Sequence, residues 1–241
     1  MTLSFLYSDG IDIDLGHDTK LTVRIPSVEE VLRDEDNYYN LVHLLTAMPV
    51  DLLVMLDDAG IDFSTINDYQ LFIFLFKLIV SQDTKLVFGD FCFDGFEFAV
   101  SEETGQPVYL DKERDLVIDR KVQYSIAEAL RKMHHLEKNM RKPGNKEAQE
   151  YMIERARKKM ARKKNRKRAS ELEKLIVAMV NTEQYKYDFE STKKLSIYQF
   201  NECVRQVIKK IDYSNKMFGV YSGTINPKEL NQDDLNWLIH K

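Results

Sequence analysis

Glycine is scarce in this chain, and the phosphate-binding patterns that depend on it are missing. The 241 residues include 9 glycines, and neither GxGxxG nor GxxxxGK[ST] occurs. Both patterns need glycine because backbone amides must approach a phosphate closely. No serine lies in a nucleophile elbow, and the cysteines have no local protease signature. The sequence therefore predicts a protein that is not an enzyme, with no catalytic residue and no cofactor.

Cysteine is also rare, and no group of residues has the spacing of a metal site. Cys92 and Cys203 are far apart without a CxxC pair, which is typical of free thiols in a reducing compartment. The adjacent His134 and His135 would project about 100° apart on a helix, so their rings cannot easily share one ion. The carboxylates of DGIDIDLGHD do not fit a calcium-binding loop. We predict no metal site.

Long hydrophobic runs are absent as well. The most apolar stretch, YQLFIFLFKLIV, contains 12 residues, whereas a membrane-spanning helix needs about 20. The first residues, MTLSFLYSDGIDID, lack the basic start and the apolar centre of a signal peptide. We therefore expect no membrane interaction and a cytoplasmic location.

Charge is distributed unevenly along the chain. Residues 1–119 contain 7 basic and 24 acidic side chains, whereas residues 138–168 contain 14 basic and 3 acidic ones. We accordingly predict an acidic α+β domain at 1–137, a basic hinge and helix at 138–168, and a C-terminal helical region at 169–241. The opposite charges allow contact within one molecule or between copies.

The pattern of apolar residues predicts an α+β fold that is mainly helical. Alternation in LSFLY, IDIDL and KLTVRI predicts an N-terminal β-hairpin, and FGDFCFDGFEFAV, QPVYLD and DLVID predict a small central antiparallel sheet. Ser27, Ser196, and either Asn67 or Asp68 have the chemistry of helix N-caps. An amphipathic helix follows the sheet, with an apolar face formed by Val122, Ile126, Ala129, Leu130 and Met133. A long basic helix and C-terminal helices complete the prediction.

The basic helix at 151–168 is the candidate binding surface. The residues expected to contact a partner or nucleic acid are Arg155, Lys158, Lys159, Arg162, Lys163 and Arg166. Met152, Ala156 and Met160 align as a thin apolar seam on which the helix can rest. Three interpretations are open: binding to nucleic-acid phosphates, a solvated face, or docking onto an acidic protein surface. Tyr151 is the single nearby aromatic residue, so base stacking would contribute little.

Three segments together resemble a group of phage proteins. The segments are NLVHLLTAMPVDLLVMLDDAGIDFSTINDYQLFIFLF, then HHLEKN with the basic helix and LIVAMVNTEQYKY, and finally LSIYQFNECVRQVIKKIDYSNKMFGVYSGTI with LNQDDLNWL. In this order they resemble proteins encoded in the tail modules of long-tailed bacteriophages and prophages of Gram-positive bacteria. Such proteins are described as tail assembly chaperones.

The resemblance implies a non-enzymatic chaperone of phage tail morphogenesis, made late in infection in the cytoplasm of the bacterial host. The implied partners are the tape measure protein and the tail tube protein, bound reversibly through apolar seams and complementary charge. Self-association is compatible with this role. The alternatives are a nucleic-acid-binding phage protein that uses helix 151–168, and a structural tail component that is retained in the virion.

Overall fold

The computed structural model of the chain describes residues 5–102, 104–164 and 169–238. Helices account for 55% of the structure and strands for 12%, so the predicted class, α+β and mainly helical, is confirmed. Within the described residues, no helix combines the length and the apolar character needed to cross a bilayer.

Ten α-helices and five strands are described along the chain. The helices are α1 (Val28–Arg33), α2 (Glu35–Thr46), α3 (Leu53–Asp58), α4 (Asp68–Val80), α5 (Lys85–Phe88), α6 (Arg120–His134), α7 (Lys146–Lys164), α8 (Glu171–Val180), α9 (Phe189–Lys194) and α10 (Ile197–Tyr221). The strands are β1 (Gly10–Gly16), β2 (Thr19–Arg24), β3 (Glu97–Val100), β4 (Pro107–Asp111) and β5 (Leu116–Ile118).

Strands β1 and β2 form the predicted N-terminal hairpin. Their antiparallel register pairs Ile13 with Leu21, and the turn between them holds His17 and Asp18 at φ values of 50° and 57°. Two successive residues with positive φ give a turn whose twist matches that of paired strands. Ile13, Leu21 and Val23 are buried, so the apolar face of the hairpin points into the core as the alternation predicted.

The central sheet has the order β3–β4–β5, and its first strand begins later than predicted. Strand β3 covers Glu97–Val100 and not the whole of FGDFCFDGFEFAV. Gly95 before it has a φ of 93°, which extended strands do not use. The guanidinium of Arg114 donates hydrogen bonds to the carbonyls of Cys92 at 3.0 Å and Asp94 at 2.8 Å. The alternating phenylalanines therefore form an aromatic cluster in place of a longer strand.

Two further segments differ from the prediction. Phe5–Tyr7 of LSFLY form a 3₁₀ turn instead of a strand, and the Phe5 ring packs edge-on against Tyr198 at 5.2 Å. The segment after α8, for which no separate short helix was predicted, contains α9, which is capped by Asp188. The Phe5–Tyr7 turn contacts α10, and α9 contacts α1 and α8, so in both cases tertiary contacts outweigh a weak local pattern.

The predicted helix starts are confirmed. Ser27, Asn67 and Ser196 each accept a hydrogen bond from the backbone amide three residues later, at 3.2, 2.9 and 3.1 Å. These bonds satisfy amides that the helix itself leaves without partners.

One hydrophobic core extends from the N-terminal hairpin to α10. Helix α6 contacts the hairpin, α2, α4, β5 and α10. It buries the five apolar residues predicted for its inner face, Val122, Ile126, Ala129, Leu130 and Met133. The core is therefore arranged around α6.

The C-terminal helices share this core with the N-terminal part of the chain. The amide of Ile197 donates to the carbonyl of Pro26 at 2.8 Å, and the amide of Val28 donates to the carbonyl of Leu195 at 2.9 Å. Phe200 at the start of α10 is fully buried. The division of the chain into domains at 1–137, 138–168 and 169–241 stays a prediction.

Candidate functional site

Helix α7 rests on the acidic part of the chain through one face. Met152, Ile153 and Ala156 pack against the core, and the spacing of three and four residues places them on one side of the helix. The predicted seam is confirmed at Met152 and Ala156. Met160 is 52% exposed, and Ile153 contributes to the seam in its place. The helix is therefore supported along its first half.

Arg157 joins the polar edge of this face to α3. Its Nη2 lies 2.6 Å from Oδ2 of Asp57 and 2.5 Å from Oδ1 of Asp58. The bonds to Asp58 and Asp57 raise the pKa of Arg157 above its ordinary value. Guanidinium groups suit such paired contacts because they present several donors in a rigid plane.

Two more polar contacts tie the basic region to the same acidic segment. The Asn139 amide donates to Oδ1 of Asp51 at 2.7 Å, and the Gln149 amide donates to Oδ1 of Asp62 at 2.7 Å. Hydrogen bonds from Ser64, and then from Gln149, hold the pKa of Asp62 below its ordinary value. Residues 139–157 thus meet residues 51–62 at three points, and the contact between opposite charges lies within one molecule.

The predicted positive stripe lies on the other side of α7. Arg155, Lys158, Lys159 and Arg162 are all exposed, and we call these four residues the α7 stripe. At 1.5 Å per residue, they span about 10 Å of the helix axis. The other two predicted site residues are Lys163 and Arg166. The side chain of Lys163 and the whole of Arg166 lie outside the described part of the structure.

Most cations of the α7 stripe have no acidic partner among the described residues. Lys158 contacts Glu154 at 2.6 Å, and this bond raises the pKa of Lys158. Arg155, Lys159 and Arg162 make no ion pair with any residue that the structure describes. The stripe therefore presents positive charge to the solvent, in contrast to Arg157.

Arg157 is the residue that sequence reasoning missed. It carries the same charge as its neighbours, so composition alone could not distinguish it from them. Its position four residues after Ile153 was the available signal, because that spacing places it beside the apolar seam. The position of Asp57 and Asp58 at the end of a short apolar helix is a second signal.

The adjacent histidines have separate environments. His134 is partly buried between α2 and α10, with Nε2 2.9 Å from the hydroxyl of Tyr38 and Nδ1 3.4 Å from the side-chain amide of Asn201. Burial, and then the proximity of His135, lower the pKa of His134 to about 4. His134 is therefore neutral at pH 7 and packs against the ring of Tyr38 at the edge of the core.

His135 ends α6 in a left-handed conformation, with a φ of 53°. Its Nδ1 lies 3.0 Å from Nη1 of Arg205, and its Nε2 lies 3.6 Å from Oε1 of Glu202. Since Arg205 can only donate, Nδ1 accepts and the ring proton is on Nε2, towards Glu202. Burial, and then the charge of Arg205, lower the pKa of His135. Among the residues described, no group of three or more His, Cys, Asp or Glu side chains could hold a metal ion.

Comparison with known protein families gives a match that covers the C-terminal third of the chain. Residues 162–240 match a family described as the YomV second domain, a family derived from a Bacillus phage. The match begins in the last turn of α7 and includes α8, α9 and α10. No curated protein and no solved structure matches the chain. The C-terminal region is therefore similar to a phage-associated domain.

Proposed function

We propose that this protein is a non-catalytic assembly factor of a phage, and specifically a tail assembly chaperone that binds tape measure and tail tube proteins. The observation that carries the proposal is the two-sided use of α7. One side is attached to Asp57 and Asp58 through Arg157, while the α7 stripe is exposed on the other. The match of residues 162–240 with a phage-derived family supports the phage context.

Binding in this proposal is reversible and uses charge complementarity. The contact of Arg157 with two carboxylates is an example within this chain of how α7 can bind an acidic helix end. The α7 stripe would contact carboxylates of a partner in the same way. Exposed ion pairs contribute little individually, so several cations must act together and the complex should dissociate as salt is raised.

The direct experiment is co-purification with tape measure and tail tube proteins encoded in the same phage or prophage genome. The variant Lys158→Glu/Arg162→Glu reverses two charges of the α7 stripe. The matched control, Lys112→Glu/Lys121→Glu, makes the same charge change at exposed positions elsewhere. We expect loss of the partner only with the first variant. Equal recovery with both variants would contradict the proposed role of the stripe.

Purified virions distinguish a chaperone from a structural component. A chaperone is released during assembly, so mass spectrometry of particles should not detect this chain at a stoichiometric level. Stoichiometric presence would favour the structural alternative.

Nucleic-acid binding is the second candidate, because Arg155, Lys159 and Arg162 have no acidic partner among the described residues. Four phosphate contacts would give a slope near −3.6 in log affinity against log salt, or roughly a 100-fold loss between 50 and 200 mM. A labelled oligonucleotide titrated at these salt concentrations tests this directly. A steep slope that Lys158→Glu/Arg162→Glu abolishes would favour this candidate over the chaperone.

A further inference from the structure

Strand β3 forms an outer edge of the central sheet. Within the described structure it pairs only with β4, in a register that matches Phe98 with Tyr109 and Val100 with Pro107. The amide of Ser101 donates to the carbonyl of Gln106 at 2.9 Å, which fixes the residues whose backbone groups face β4. In an antiparallel pair these residues alternate, so the backbone groups of Phe98 and Val100 point away from the sheet.

The main-chain groups on this edge are available for pairing. None of the hydrogen bonds in the described structure joins the amides of Phe98 or Val100 to a residue outside the sheet. Pro107 lies opposite Val100 and has no amide proton. It can occupy this position because the two strands do not exchange hydrogen bonds there. The edge therefore offers two donors and two acceptors, spaced two residues apart.

Apolar side chains accompany these groups on one face. Phe98 is 56% exposed and Val100 is 58% exposed. The Phe98 ring packs edge-on against the buried Tyr109 at 6.1 Å, which fixes its position at the rim of the core. Edges of natural sheets are commonly protected by a short strand length, charged side chains, proline or a bulge. Strand β3 is short and carries Glu97, but it contains neither lysine nor proline and pairs without a bulge.

The charge around this edge selects the kind of partner. Residues 90–111 contain no lysine or arginine, and six carboxylates lie in this segment: Asp90, Asp94, Glu97, Glu102, Glu103 and Asp111. Arg114 compensates one of them, Asp111. Pairing of β3 with a second copy of itself would bring two acidic segments together. A cationic segment is therefore the complementary occupant.

We propose that β3 is a docking edge for an extended segment of a partner protein, with apolar residues at alternate positions and lysine or arginine between them. The segment adds a fourth strand by hydrogen bonding to Phe98 and Val100, while its apolar residues pack on their side chains. This surface is separate from the α7 stripe and has the opposite charge preference, so it does not depend on the proposed function.

The test uses a fluorescent eight-residue peptide of alternating valine and lysine, measured by anisotropy against the full-length protein. A valine–glutamate peptide tests the charge preference. A lysine peptide with two valines replaced by proline tests strand formation at constant charge. We expect binding of the first peptide only, with the largest amide NMR shifts at Phe98 and Val100. Equal binding of the proline-containing peptide would overturn the proposal.

Val100→Pro is the decisive variant, because it removes an outward amide without removing a hydrogen bond to β4. The matched control Val100→Thr keeps the amide and the strand preference. We expect Val100→Pro to weaken binding about tenfold and Val100→Thr to retain most of it, with unchanged far-UV circular dichroism for both. Unchanged affinity with Val100→Pro would mean that the valine–lysine peptide binds elsewhere on the acidic half and would overturn the proposal. A dimer that Val100→Pro dissociates would identify a second copy as the occupant instead.

Discussion

Nη2 of Arg157 on α7 lies 2.6 Å from Oδ2 of Asp57 on α3, although 100 residues separate them in the sequence. This contact joins the most basic part of the chain to its acidic part. It also separates Arg157, which is paired with carboxylates of another helix, from the exposed α7 stripe.

The first prediction concerns this contact. Arg157→Gln should release α7 from α3, because the apolar seam beneath it is thin and only partly buried. Hydrogen exchange of the α7 amides should become several-fold faster, while global thermal stability changes little. Arg155→Gln removes the same charge from the exposed side and serves as the control. Equal exchange in the two variants would show that Arg157 does not hold the helix.

The second prediction concerns acid sensitivity through His134. Its pKa is about 4 in the folded protein and near 6.5 in an unfolded chain. Between these values the unfolded chain binds a proton that the folded protein does not, so stability is present above pH 6.5 and falls as pH drops towards 4. The loss attributable to His134 is about 3 kcal/mol.

Urea unfolding at pH 7 and pH 5 measures this effect. His134→Gln should be less stable at pH 7, because it disturbs the contact with Tyr38, but its stability should depend less on pH. His43→Gln changes an exposed histidine and should keep the pH dependence of the parent protein. An unchanged pH dependence in His134→Gln would assign the acid sensitivity to other groups.

The third prediction concerns Arg114, which organises the loop before β3. It donates to the buried carboxylate of Asp111 and to the carbonyls of Cys92 and Asp94, and its guanidinium lies 5.3 Å from the centre of the Phe96 ring. Arg114→Gln should lower the free energy of unfolding by about 2 kcal/mol and weaken the near-ultraviolet circular dichroism of the aromatic cluster.

Arg114→Lys should lose most of the same stability, since an ammonium group cannot make these diverging contacts. Lys112→Gln, at an exposed position two residues earlier, is the control and should unfold like the parent. Full stability in Arg114→Lys would show that charge alone is sufficient at this position.

The fourth prediction concerns the dependence of the N-terminal part on the C-terminal helices. Removal of residues 169–241 takes Ile197, Tyr198 and Phe200 out of the core. It also removes the hydrogen bonds to Pro26 and Val28. The shortened chain should lack cooperative thermal unfolding and should bind a hydrophobic dye.

Truncation after Tyr221 is the matched control. It removes a tail that contacts the outer half of α10, for example through the 2.6 Å contact between Lys216 and Asp234, and the core should stay folded. Cooperative unfolding of residues 1–168 would instead support the predicted division of the chain before residue 169.

Local patterns in the sequence determined much of the secondary structure. The alternation around Ile13 and Leu21 specified the hairpin, and Ser27 and Ser196 marked helix starts, because strand faces and N-caps depend on neighbouring residues. The same patterns identified the inner face of α6. They also identified Arg155, Lys158, Lys159 and Arg162, because charge density and helical spacing can be read directly.

Tertiary structure alone decided how these parts meet. Phenylalanines at alternate positions indicated a strand before Glu97, but Arg114 and Gly95 turn that segment into an aromatic cluster. Arg157 was indistinguishable from its neighbours until α3 brought Asp57 beside it. Sequence patterns report neighbours within a few residues, whereas these contacts depend on groups about 20 to 100 residues away that only the packed core brings together.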